Sequence, residues 1–484
     1  MRRKSEVKKR LIRPITERYH DYLTDESNMI GAAESISFPE SETEIIQILR
    51  VLQEKQIPVT IQGGKTGLVG AAVPMRGHIM NLSGMKRVKA FSNAEDGTAL
   101  LTVEPGVTLI ELRKAIGRLN TPEAFFWPPE SSELTATVGG VASTSAKSIC
   151  SGMYGDVGSY IDSIRATNAK GAIDDIKKGQ RTVSIDGESE DLLAAYLGAE
   201  GMYGVITELT LRLIPTPAET WGITFFFEGR EDGLSFAENL KDGPREIEGA
   251  RIAAIEYLDR ATIEAIEKQK QFLSNLRALP DVPANTSSMV YVEIHGEREE
   301  AVEAMAETLL SVATSFHNDP SRTWAFSGEL EIEKMRNFLH AAVETALLHI
   351  RKVRLEDPRI TRLGIDMSWE HESLKILAGR FQAYLREEGL SANLFAHVGN
   401  NRLHINILPK NFQDYVKGTV VLEKWAETFT VFRGTAVTEY GIGKMKKSIF
   451  RKAASQAAIE RIIQLKKQLD TKNMWNPGNM LDIP

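Results

Sequence analysis

The chain is poor in cysteine, in long apolar runs and in net charge. Cys150 is the only cysteine among 484 residues, which excludes an internal disulfide and any zinc or iron–sulfur site built from several thiolates. A single cysteine also fits a reducing compartment. No apolar run is long enough to span a membrane. The formal net charge of -6 gives no reason to expect a nucleic-acid partner.

The start of the chain lacks the apolar core of a signal peptide. Residues 1–13 are instead basic, and we expect a solvated helix there and a cytoplasmic protein, with peripheral contact to a membrane left open. The chain is long enough for two or three domains with a buried core. Its 42% hydrophobic and 26% charged residues are ordinary for a globular protein.

What the chain does have is a concentration of glycine in residues 57–74. A β-branched run is followed there by Gly63, Gly64, Gly67 and Gly70. Glycine has no Cβ, so the backbone N–H groups of such a loop can approach an anion closely. The loop therefore predicts phosphate or pyrophosphate binding. Residues 64–66 imitate the end of a P-loop, but that motif needs a glycine at position 59, where Val59 stands in a predicted strand.

Two capping boxes mark helix starts in the first half. Ser41 pairs with Glu44 and Thr108 with Glu111, and apolar residues at helical spacing follow each. Short strands alternate with these helices, which indicates α/β or α+β layers. Residues 188–197 are predicted to form a short helix. Residues 127–155 show little periodicity and many small side chains, which is typical of a loop that binds something.

After residue 217 the pattern changes to further strands and helices. The predicted strands are 221–227, 289–295, 363–368, 394–398 and 403–408, and residues 298–316 form a helix. Two β-α-β-like halves indicate a ferredoxin-like domain. The last segment, residues 446–481, is predicted as one long basic helix.

Six pieces of the first half stand in an order that resembles a known family. They are residues 63–70, 103–107, 128–129, 135–144, 154–155 and 200–207. They are similar to the FAD-binding domain shared by vanillyl-alcohol oxidase, D-lactate dehydrogenase and the D-2-hydroxyglutarate dehydrogenases. The resemblance implies an α+β fold, with a two-part FAD-binding domain of the vanillyl-alcohol oxidase type and a ferredoxin-like substrate (cap) domain. The implied ranges are 1–217 for the FAD-binding domain, 218–430 for the substrate domain and 431–484 for a C-terminal segment returning to the first.

The resemblance also implies the cofactor-binding residues. They are Gly63, Gly64, Lys65, Thr66, Gly67, Leu68, Gly70, Pro129, Thr137, Gly139, Gly140, Ser143, Thr144, Tyr154, Gly155, Glu200, Gly204, Ile206 and Asn476. Members of the family often attach FAD to a histidine, but no histidine lies between residues 57 and 74. We therefore expect non-covalent FAD. Lys65 stands where the family usually has a glycine.

A second constellation lies in the later part of the chain. His397 and His404 are seven residues apart in a predicted turn between strands, and with Glu439 they can make a three-ligand site for a divalent cation. Spacing alone equally allows two hydrogen-bonded histidines and a surface glutamate. The D-2-hydroxyglutarate dehydrogenases carry HxGDxxLH and EHGIG motifs whose histidines and glutamate bind the metal. The resemblance thus implies a metal site here, with zinc or manganese.

The chain departs from this family at three positions. Asn400 replaces the aspartate of the first motif, and Tyr440 replaces the histidine that serves as the general base. Leu339 replaces an arginine that would pair with a substrate carboxylate, so Arg336, one helical turn earlier, or another cation is expected to substitute for it. Tyr440 and Lys444 are the predicted catalytic residues, with Lys444 facing an acidic substrate or the cofactor.

The resemblance implies a flavoenzyme that oxidises a D-2-hydroxy acid of the D-lactate, glycolate or D-2-hydroxyglutarate class. Hydride would pass to flavin N5 and the electrons to an external acceptor: a quinone, a cytochrome or an electron-transfer protein. A homodimer and a heteromeric redox complex both stay open. The substitution at Tyr440 favours a second hypothesis, a flavin-binding subunit with a degenerate hydroxy-acid site that serves assembly or electron transfer.

Overall fold

The computed structural model describes residues 11–94, 96–167, 171–185, 187–274, 276–370, 372–431, 434–437 and 439–483. The first ten residues, for which we predict a solvated helix, lie outside these ranges. Contacts divide the chain into two compact units. Unit 1 comprises Met1–Ser148, Asp156–Thr216 and Glu439–Pro484, and unit 2 comprises Ile149–Gly155 and Pro217–Thr438. This grouping differs from the predicted domain ranges at residues 149–155 and 431–438.

The strands range from two residues to the eleven of β12. They are β1 (Arg13–Pro14), β2 (Ser35–Ser37), β3 (Val59–Gln62), β4 (His78–Asn81), β5 (Val88–Asn93), β6 (Ala99–Val103), β7 (Phe125–Phe126), β8 (Ile161–Thr167), β9 (Ile173–Lys177), β10 (Thr182–Ile185), β11 (Glu188–Asp191), β12 (Val205–Pro215), β13 (Glu219–Phe227), β14 (Glu246–Ile247), β15 (Ala250–Asp259), β16 (Ser288–Gly296), β17 (Trp324–Ser327), β18 (Leu363–Ser368), β19 (Ala392–His397), β20 (Arg402–Ile407) and β21 (Thr435–Ala436).

The α-helices range from one turn to seven. They are α1 (Glu42–Glu54), α2 (Leu109–Ile116), α3 (Val138–Thr144), α4 (Ser151–Tyr154), α5 (Leu192–Tyr196), α6 (Arg230–Asp242), α7 (Arg260–Lys270), α8 (Glu299–Ser315), α9 (Glu329–Arg354), α10 (Leu374–Glu388), α11 (Phe412–Val431), α12 (Lys447–Ala453) and α13 (Gln456–Leu469). In the part of the chain that the structure describes, none of these helices has the length and apolar character needed to cross a lipid bilayer.

Unit 1 contains two main sheets, as a two-part domain requires. The first has the order β1-β2-β4-β3, with β2, β4 and β3 parallel. The second is antiparallel, with the order β5-β6-β12-β8-β9 and β7 beside β12, while β10 and β11 form a separate hairpin. The glycine loop follows β3 and leads to β4, so its position is fixed by two paired parallel strands.

Helix α1 covers the first sheet. Its apolar residues Ile45, Ile48, Leu49 and Leu52 are almost fully buried and pack with Val59 of β3 and Trp475 of the tail. One of the two hydrogen bonds of the predicted Ser41–Glu44 capping box is present. Ser41 Oγ accepts from the Glu44 N–H at 3.3 Å, but the Glu44 carboxylate accepts from Glu40 N–H at 2.9 Å. The box at Thr108 and Glu111 is complete.

Three predictions of local structure in unit 1 were wrong. Residues 127–155 are not an unstructured loop, because Thr137 caps α3 by accepting from the Gly140 N–H, and α4 follows. Residues 188–191 form β11 before the predicted helix begins. Residues 446–481 form two helices, because Ser455 accepts from the Ala458 N–H and starts α13 afresh. The chain after Leu469 is irregular.

The irregular tail is fixed to unit 1 by a buried ion pair. Lys466 Nζ lies 2.7 Å from Asp470 Oδ2 and also donates to the carbonyls of Met202 and Trp475 at 2.8 and 2.5 Å. Asp470 Oδ2 accepts in turn from the Trp475 N–H at 2.7 Å. Both side chains are buried, so neither charge has solvent to replace its partner.

Unit 2 has one antiparallel sheet with the order β17-β13-β16-β15-β19-β20-β18-β21, and β14 beside β15. The strands β18, β19, β20 and β21 form a β-α-β-β-α-β arrangement, and β13, β15, β16 and β17 form a second one in which helix α7 is added between β15 and β16. In each, the first strand lies between the fourth and the third, which is the ferredoxin-like order. The two arrangements join where β15 pairs with β19. The predicted ferredoxin-like fold is therefore confirmed, and it occurs twice.

We predict that Asp470→Ala destabilises the protein by about 3–5 kcal/mol, because it leaves the Lys466 ammonium buried without its ion partner. The measurement is guanidinium chloride unfolding followed by circular dichroism and tryptophan fluorescence. Lys467→Ala, at the exposed neighbouring position, is the matched control and should change stability by no more than about 0.5 kcal/mol. Equal midpoints for the two variants would show that the ion pair does not anchor the tail.

Candidate functional site

The glycine loop of unit 1 is held with its carbonyl groups toward the protein. The Val69 carbonyl accepts from the N–H groups of Lys444 and Met445, and the Lys65 carbonyl accepts from Glu26. Among the described residues, no N–H of residues 64–70 donates a hydrogen bond to a protein group. Backbone donors in a buried or half-buried loop need a partner. The arrangement therefore suits an anion bound by the N–H side of the loop.

The loop packs closely against the start of α3. A Cβ added to Gly63 would lie 2.3 Å from Thr137 Oγ1, and one added to Gly64 would lie 2.8 Å from the Thr135 carbonyl. A Cβ at Gly139 would lie 2.6 Å from Pro105 Cβ. These glycines are therefore required for close packing inside unit 1. Gly67 differs, because its added Cβ would make only an ordinary contact at 3.7 Å with Asp25 Oδ2.

A chain of hydrogen bonds links the far end of α3 to the tail. The Glu200 N–H donates to the Ser143 carbonyl at 2.7 Å. Asn476 Nδ2 donates to the Glu200 carbonyl at 2.7 Å, and Asn476 Oδ1 accepts from the Ile61 N–H at 2.7 Å. The series begins where the glycine loop packs against Thr137, and it returns through Asn476 to Ile61 of β3. Unit 1 thus brings most of the predicted cofactor residues into one connected ring.

Lys444 lies inside this ring. Its Nζ donates to Asn479 Oδ1 at 2.5 Å and to the carbonyls of Gly70 and Ala71 at 3.3 and 3.4 Å. Burial lowers the pKa of its ammonium to about 8, although Glu200 and Asp25 oppose that shift. These contacts hold the end of the glycine loop. They give Lys444 a structural task, and its predicted catalytic role stays a prediction.

Glu200 is a second buried charge of the ring. Its carboxylate accepts from the N–H groups of Ile442 and Gly443 at 2.5 and 2.8 Å. Burial raises the pKa of the Glu200 carboxyl, against these hydrogen bonds and Lys444. The contact fixes residues 442–443 of the returning segment. Glu200 therefore has a cross-linking role that sequence reasoning did not assign.

Lys65 has an unusual backbone conformation for a residue with a side chain. Its φ of 61° lies in the left-handed region that favours glycine. Its ammonium donates to the Asp21 carbonyl at 2.5 Å and lies 4.6 Å from the centre of the Tyr22 ring. Burial lowers the pKa of Lys65. The segment before the loop thus holds the Lys65 side chain, and its predicted role in cofactor binding stays a prediction.

Asp25 is a functional candidate that the sequence did not indicate. It is 7% exposed, and its Oδ1 accepts from the Ser27 N–H and hydroxyl at 3.0 and 2.5 Å. Burial raises the pKa of Asp25 to about 6, against the bonds from Ser27 and the charge of Lys444. A titratable group thus lies beside Gly67. No motif in the sequence pointed to it.

The remaining predicted cofactor residues divide between the units. Pro129, Gly204 and Ile206 belong to unit 1 and are buried. Tyr154 and Gly155 belong to unit 2, at the end of α4. Tyr154 packs there with Cys150, Ala253 and Ala254. Its hydroxyl has a partner that the sequence did not predict, described below.

One face of the unit 2 sheet carries a row of buried polar side chains. Successive residues of a strand point to opposite faces, and the register places Tyr291 opposite Glu256, and Glu256 opposite His397. On the neighbouring strands, His404 pairs with Phe395 and Asp366 with His404. The opposite face of the same strands is mainly apolar, with Ile255, Val292 and Ile405 buried, although Tyr257 and Asp259 also lie there. The sheet therefore places Glu256, Glu293 and the histidines on one side.

His397 and His404 come together on this face. Their ring centroids are 4.7 Å apart with an interplanar angle of 76°, and His404 stacks on Phe395 at 4.6 Å. His397 Nδ1 lies 2.5 Å from Glu256 Oε2. If Nδ1 donates to that carboxylate, Nε2 carries the lone pair that a metal ion would need. This pair of histidines thus fits two positions of a divalent metal site.

Glu439 and Tyr440 begin the last segment of unit 1. The N–H of Val437, two residues before Glu439, donates to the Asp366 carbonyl at 2.7 Å. Asp366 pairs with His404 in the sheet, so the chain leading to Glu439 starts beside the histidines. The ring of Tyr440 lies 5.7 Å from Lys446 Nζ.

A second cluster on the polar face surrounds Glu293. Arg336 donates to both oxygens of this carboxylate, from Nε at 3.1 Å and from Nη2 at 2.5 Å. Tyr291 Oη donates at 2.8 Å, and His295 Nε2 lies 2.9 Å from Oε1. Tyr154 Oη lies 2.6 Å from His295 Nδ1. Arg336, the expected substitute for the missing arginine, is thus engaged with Glu293.

The charges of this cluster are set by burial and by Arg336. Burial opposes ionisation of Glu293, but the guanidinium and His295 outweigh it and hold the pKa of this carboxyl well below its usual range. Burial and the Glu293 carboxylate raise the pKa of the Cys150 thiol. Its Sγ donates to Glu293 Oε1 at 3.5 Å. Glu293 is therefore ionised and Cys150 is a neutral thiol.

Two families of known proteins match the chain. The family described as FAD binding domain matches residues 33–177, and the family FAD linked oxidases, C-terminal domain, matches residues 236–480. D-lactate dehydrogenase of Archaeoglobus fulgidus is 26% identical over 450 residues, covering 92% of this chain and 90% of that protein. The probable D-2-hydroxyglutarate dehydrogenase, mitochondrial, of Oryza sativa is 25% identical over 457 residues, covering 93% and 76%.

The fold likewise matches solved structures. That of p-cresol methylhydroxylase with substrate bound superposes with a TM-score of 0.72 at 14% identity, covering 99% of this chain and 96% of the other. This likeness concerns the fold alone. The FAD linked oxidase match extends over more than half of the chain. The chain therefore belongs to the FAD-linked oxidases, FAD-dependent enzymes whose FAD-binding fold is the one seen in flavoproteins of the vanillyl-alcohol oxidase type.

Proposed function

We propose that the chain is an FAD-dependent dehydrogenase of a D-2-hydroxy acid, of the D-lactate, glycolate or D-2-hydroxyglutarate class. The observation that carries the proposal is the glycine loop. The carbonyls of residues 65, 69 and 70 accept hydrogen bonds from protein groups, while in the described ranges no N–H of residues 64–70 donates to a protein acceptor. The substrate class is supported by relatives named D-lactate dehydrogenase and D-2-hydroxyglutarate dehydrogenase. An external acceptor, a quinone, a cytochrome or an electron-transfer protein, would take the electrons.

The two units would divide the work. Unit 1 would bind the FAD pyrophosphate through residues 63–70 and hold the loop from behind through Lys444. Unit 2 would bind the substrate with the polar face of its sheet. FAD supplies a hydride acceptor when bound. The protein residues would orient the acid, exclude water and remove the hydroxyl proton.

We predict that Gly67→Val lowers FAD retention by about tenfold or more while the protein stays folded. A β-branched side chain at position 67 restricts the backbone and crowds the N–H groups, but its Cβ meets only Asp25 Oδ2 at 3.7 Å. The measurement is the FAD-to-protein ratio after gel filtration, with the flavin released by acid precipitation. Flavin remaining in the acid pellet would contradict non-covalent binding.

The control for that variant is Gly379→Val. Gly379 lies within α10, where an added Cβ would meet nothing within 4 Å, and this variant should keep its full flavin complement. Gly64→Val is a poorer probe, because the Thr135 carbonyl lies 2.8 Å from its added Cβ. Full retention in Gly67→Val would assign the loop to another task.

The proposed metal site consists of His397, His404 and Glu439, with zinc or manganese. Support comes from the paired histidine rings and from Glu256, which fixes His397 by its 2.5 Å contact. A divalent cation there would orient the hydroxyl and carboxylate groups of the acid and favour loss of the hydroxyl proton. Glu256 would act on the cation only through His397.

We predict that Glu256→Gln weakens metal binding about 10–100-fold while FAD stays bound, because the amide no longer holds His397 as a metal ligand. His397→Ala should empty the site. The measurement is zinc and manganese content after equilibrium dialysis, together with the flavin spectrum. His317→Ala, at a histidine whose side chain is 81% exposed, is the control. Wild-type protein that binds neither metal would end the metal proposal and leave the FAD proposal intact.

We predict that the flavin of the wild-type protein is bleached under anaerobic conditions either by achiral glycolate or by one D-2-hydroxy acid and not by its L-enantiomer. The test is stopped-flow absorbance with D- and L-lactate, glycolate, and D- and L-2-hydroxyglutarate. If no acid bleaches a fully loaded flavin, the alternative stands: a flavin-binding subunit with a degenerate site. That alternative is favoured by one observation, the tyrosine at position 440.

A further inference from the structure

The proposed reaction needs a group that takes the hydroxyl proton, and the family position for it holds Tyr440. Unit 2 contains another arrangement suited to that task. Tyr154, His295 and Glu293 form a continuous series of hydrogen bonds, with 2.6 Å between Tyr154 Oη and His295 Nδ1 and 2.9 Å between His295 Nε2 and Glu293 Oε1. A hydroxyl, an imidazole and a carboxylate in this order are the parts of a base relay.

The direction of each hydrogen bond follows from the charge of Glu293. Arg336 donates to both of its oxygens, so this carboxylate is ionised and can only accept. His295 Nε2 must therefore carry a proton and donate it to Glu293. In the neutral imidazole Nδ1 is then the acceptor, and Tyr154 Oη donates to it. The relay is thus set to move a proton from Tyr154 toward His295.

The three members of the series differ in how far they are buried. Glu293 is fully buried and His295 is 6% exposed, whereas Tyr154 is half-buried. Tyr154 sits at the end of α4, where an added Cβ on Gly152 would lie 2.7 Å from the Gly399 carbonyl. This close packing on the turn after β19 holds the helix that carries the tyrosine. Tyr154 is therefore the most exposed member of the series, and its phenol is the end that we assign to the substrate.

Cys150, Glu293 and His295 also have ligand atoms within 4.8 Å of one another, as a metal site would require. A cation is a poor fit there. Both Glu293 oxygens already accept from Arg336, and Oε2 also accepts from Tyr291. A metal ion would have to displace a buried guanidinium or lie beside it. A proton relay makes use of the same contacts without breaking them.

We propose that Tyr154, backed by His295 and Glu293, accepts the hydroxyl proton of the substrate. The inference rests on the proposed function, which supplies FAD as the oxidant. The substrate O–H bond breaks and its proton passes to Tyr154 Oη, while the phenol proton passes to His295 Nδ1. The C2–H bond breaks and its electron pair leaves as hydride to the FAD, so the acid becomes a 2-oxo acid. Glu293 stabilises the imidazolium that results.

The experiment uses the FAD-loaded protein and the acid that bleaches it. Tyr154→Phe and His295→Gln should each slow flavin reduction at saturating acid about 10²–10⁴-fold, the usual range for loss of a general base. The dissociation constant of the 2-oxo acid product, read from the oxidised flavin spectrum, should stay within threefold. The double variant should be no slower than the slower single variant, because the two residues act as one unit.

A spectroscopic readout separates the relay from a structural role. In protein labelled with ¹⁵N-histidine, His295 should show a protonated Nε2 and an unprotonated Nδ1, and the Nδ1 signal should shift in Tyr154→Phe. Tyr257→Phe is the control, since it removes a buried phenol on the opposite face of the sheet. It should leave the rate and the His295 signals unchanged.

Each remaining outcome has a defined meaning. A Tyr154→Phe variant that is reduced at the wild-type rate overturns the assignment and leaves the proposed function standing. A loss confined to Tyr440→Phe returns the base to Tyr440. A His295 that is protonated on Nδ1 in the wild type also overturns the relay. If no hydroxy acid reduces the loaded wild-type flavin, the proposed function fails first and this assignment fails with it.

Discussion

The backbone of the glycine loop must be held by other segments, and unit 1 is arranged around that constraint. Four of residues 63–70 are glycines, and Leu68 and Val69 are the buried side chains of the loop, so several of its backbone groups need partners elsewhere in the unit. The carbonyls are held by Lys444 and by the N–H groups of residues 26, 444 and 445, and Asn479 Nδ2 donates to the Ala71 carbonyl at 3.0 Å. The C-terminal tail must therefore return to the loop. The ion pair of Lys466 and Asp470 fixes that tail, and it therefore also helps to hold the loop in place.

The polar face of unit 2 obeys a different constraint. Carboxylates that leave water must be paired and hydrogen-bonded, since an isolated buried charge is costly. Glu293 meets this requirement with Arg336, Tyr291 and His295, and Glu256 meets it with His397. The hydrogen bonds that offset the cost of burying each carboxylate also fix which nitrogen of the neighbouring imidazole carries a proton. Stability and chemistry are thus set by the same contacts.

The sequence predicted what depends on local chemistry. The cap at Thr108, the glycine loop and the strands around 289–295 and 403–408 all follow from spacing within a few residues. It could not predict Glu256 with His397, because their contact joins residues 141 apart, nor the junction of β15 and β19. The pattern in β16 was visible: Tyr291, Glu293 and His295 alternate with apolar residues, which places three polar side chains on one face. That alternation could have indicated the site.

The many small side chains of residues 127–155 led to the prediction of a loop where the structure has helices. The segment 127–155 has little periodicity because its glycines and alanines provide close packing, and α3 passes against Pro105 where a larger side chain would not fit. The helix is revealed by its cap at Thr137, not by an apolar stripe. The twofold ferredoxin-like arrangement escaped notice because strand order is a matter of long-range pairing.

The two histidine clusters on the polar face differ in the charge that surrounds them. At His295 the guanidinium of Arg336 already pairs with the Glu293 carboxylate, and the two ring nitrogens face a carboxylate and a phenol. At His397 the Glu256 carboxylate lies against the ring, and a cation held by the two histidines would be attracted to it. One cluster therefore suits proton transfer and the other suits a metal ion. Position 440 carries a tyrosine, whereas the polar face carries at His295 an imidazole with Nε2 facing a carboxylate and Nδ1 facing a phenol.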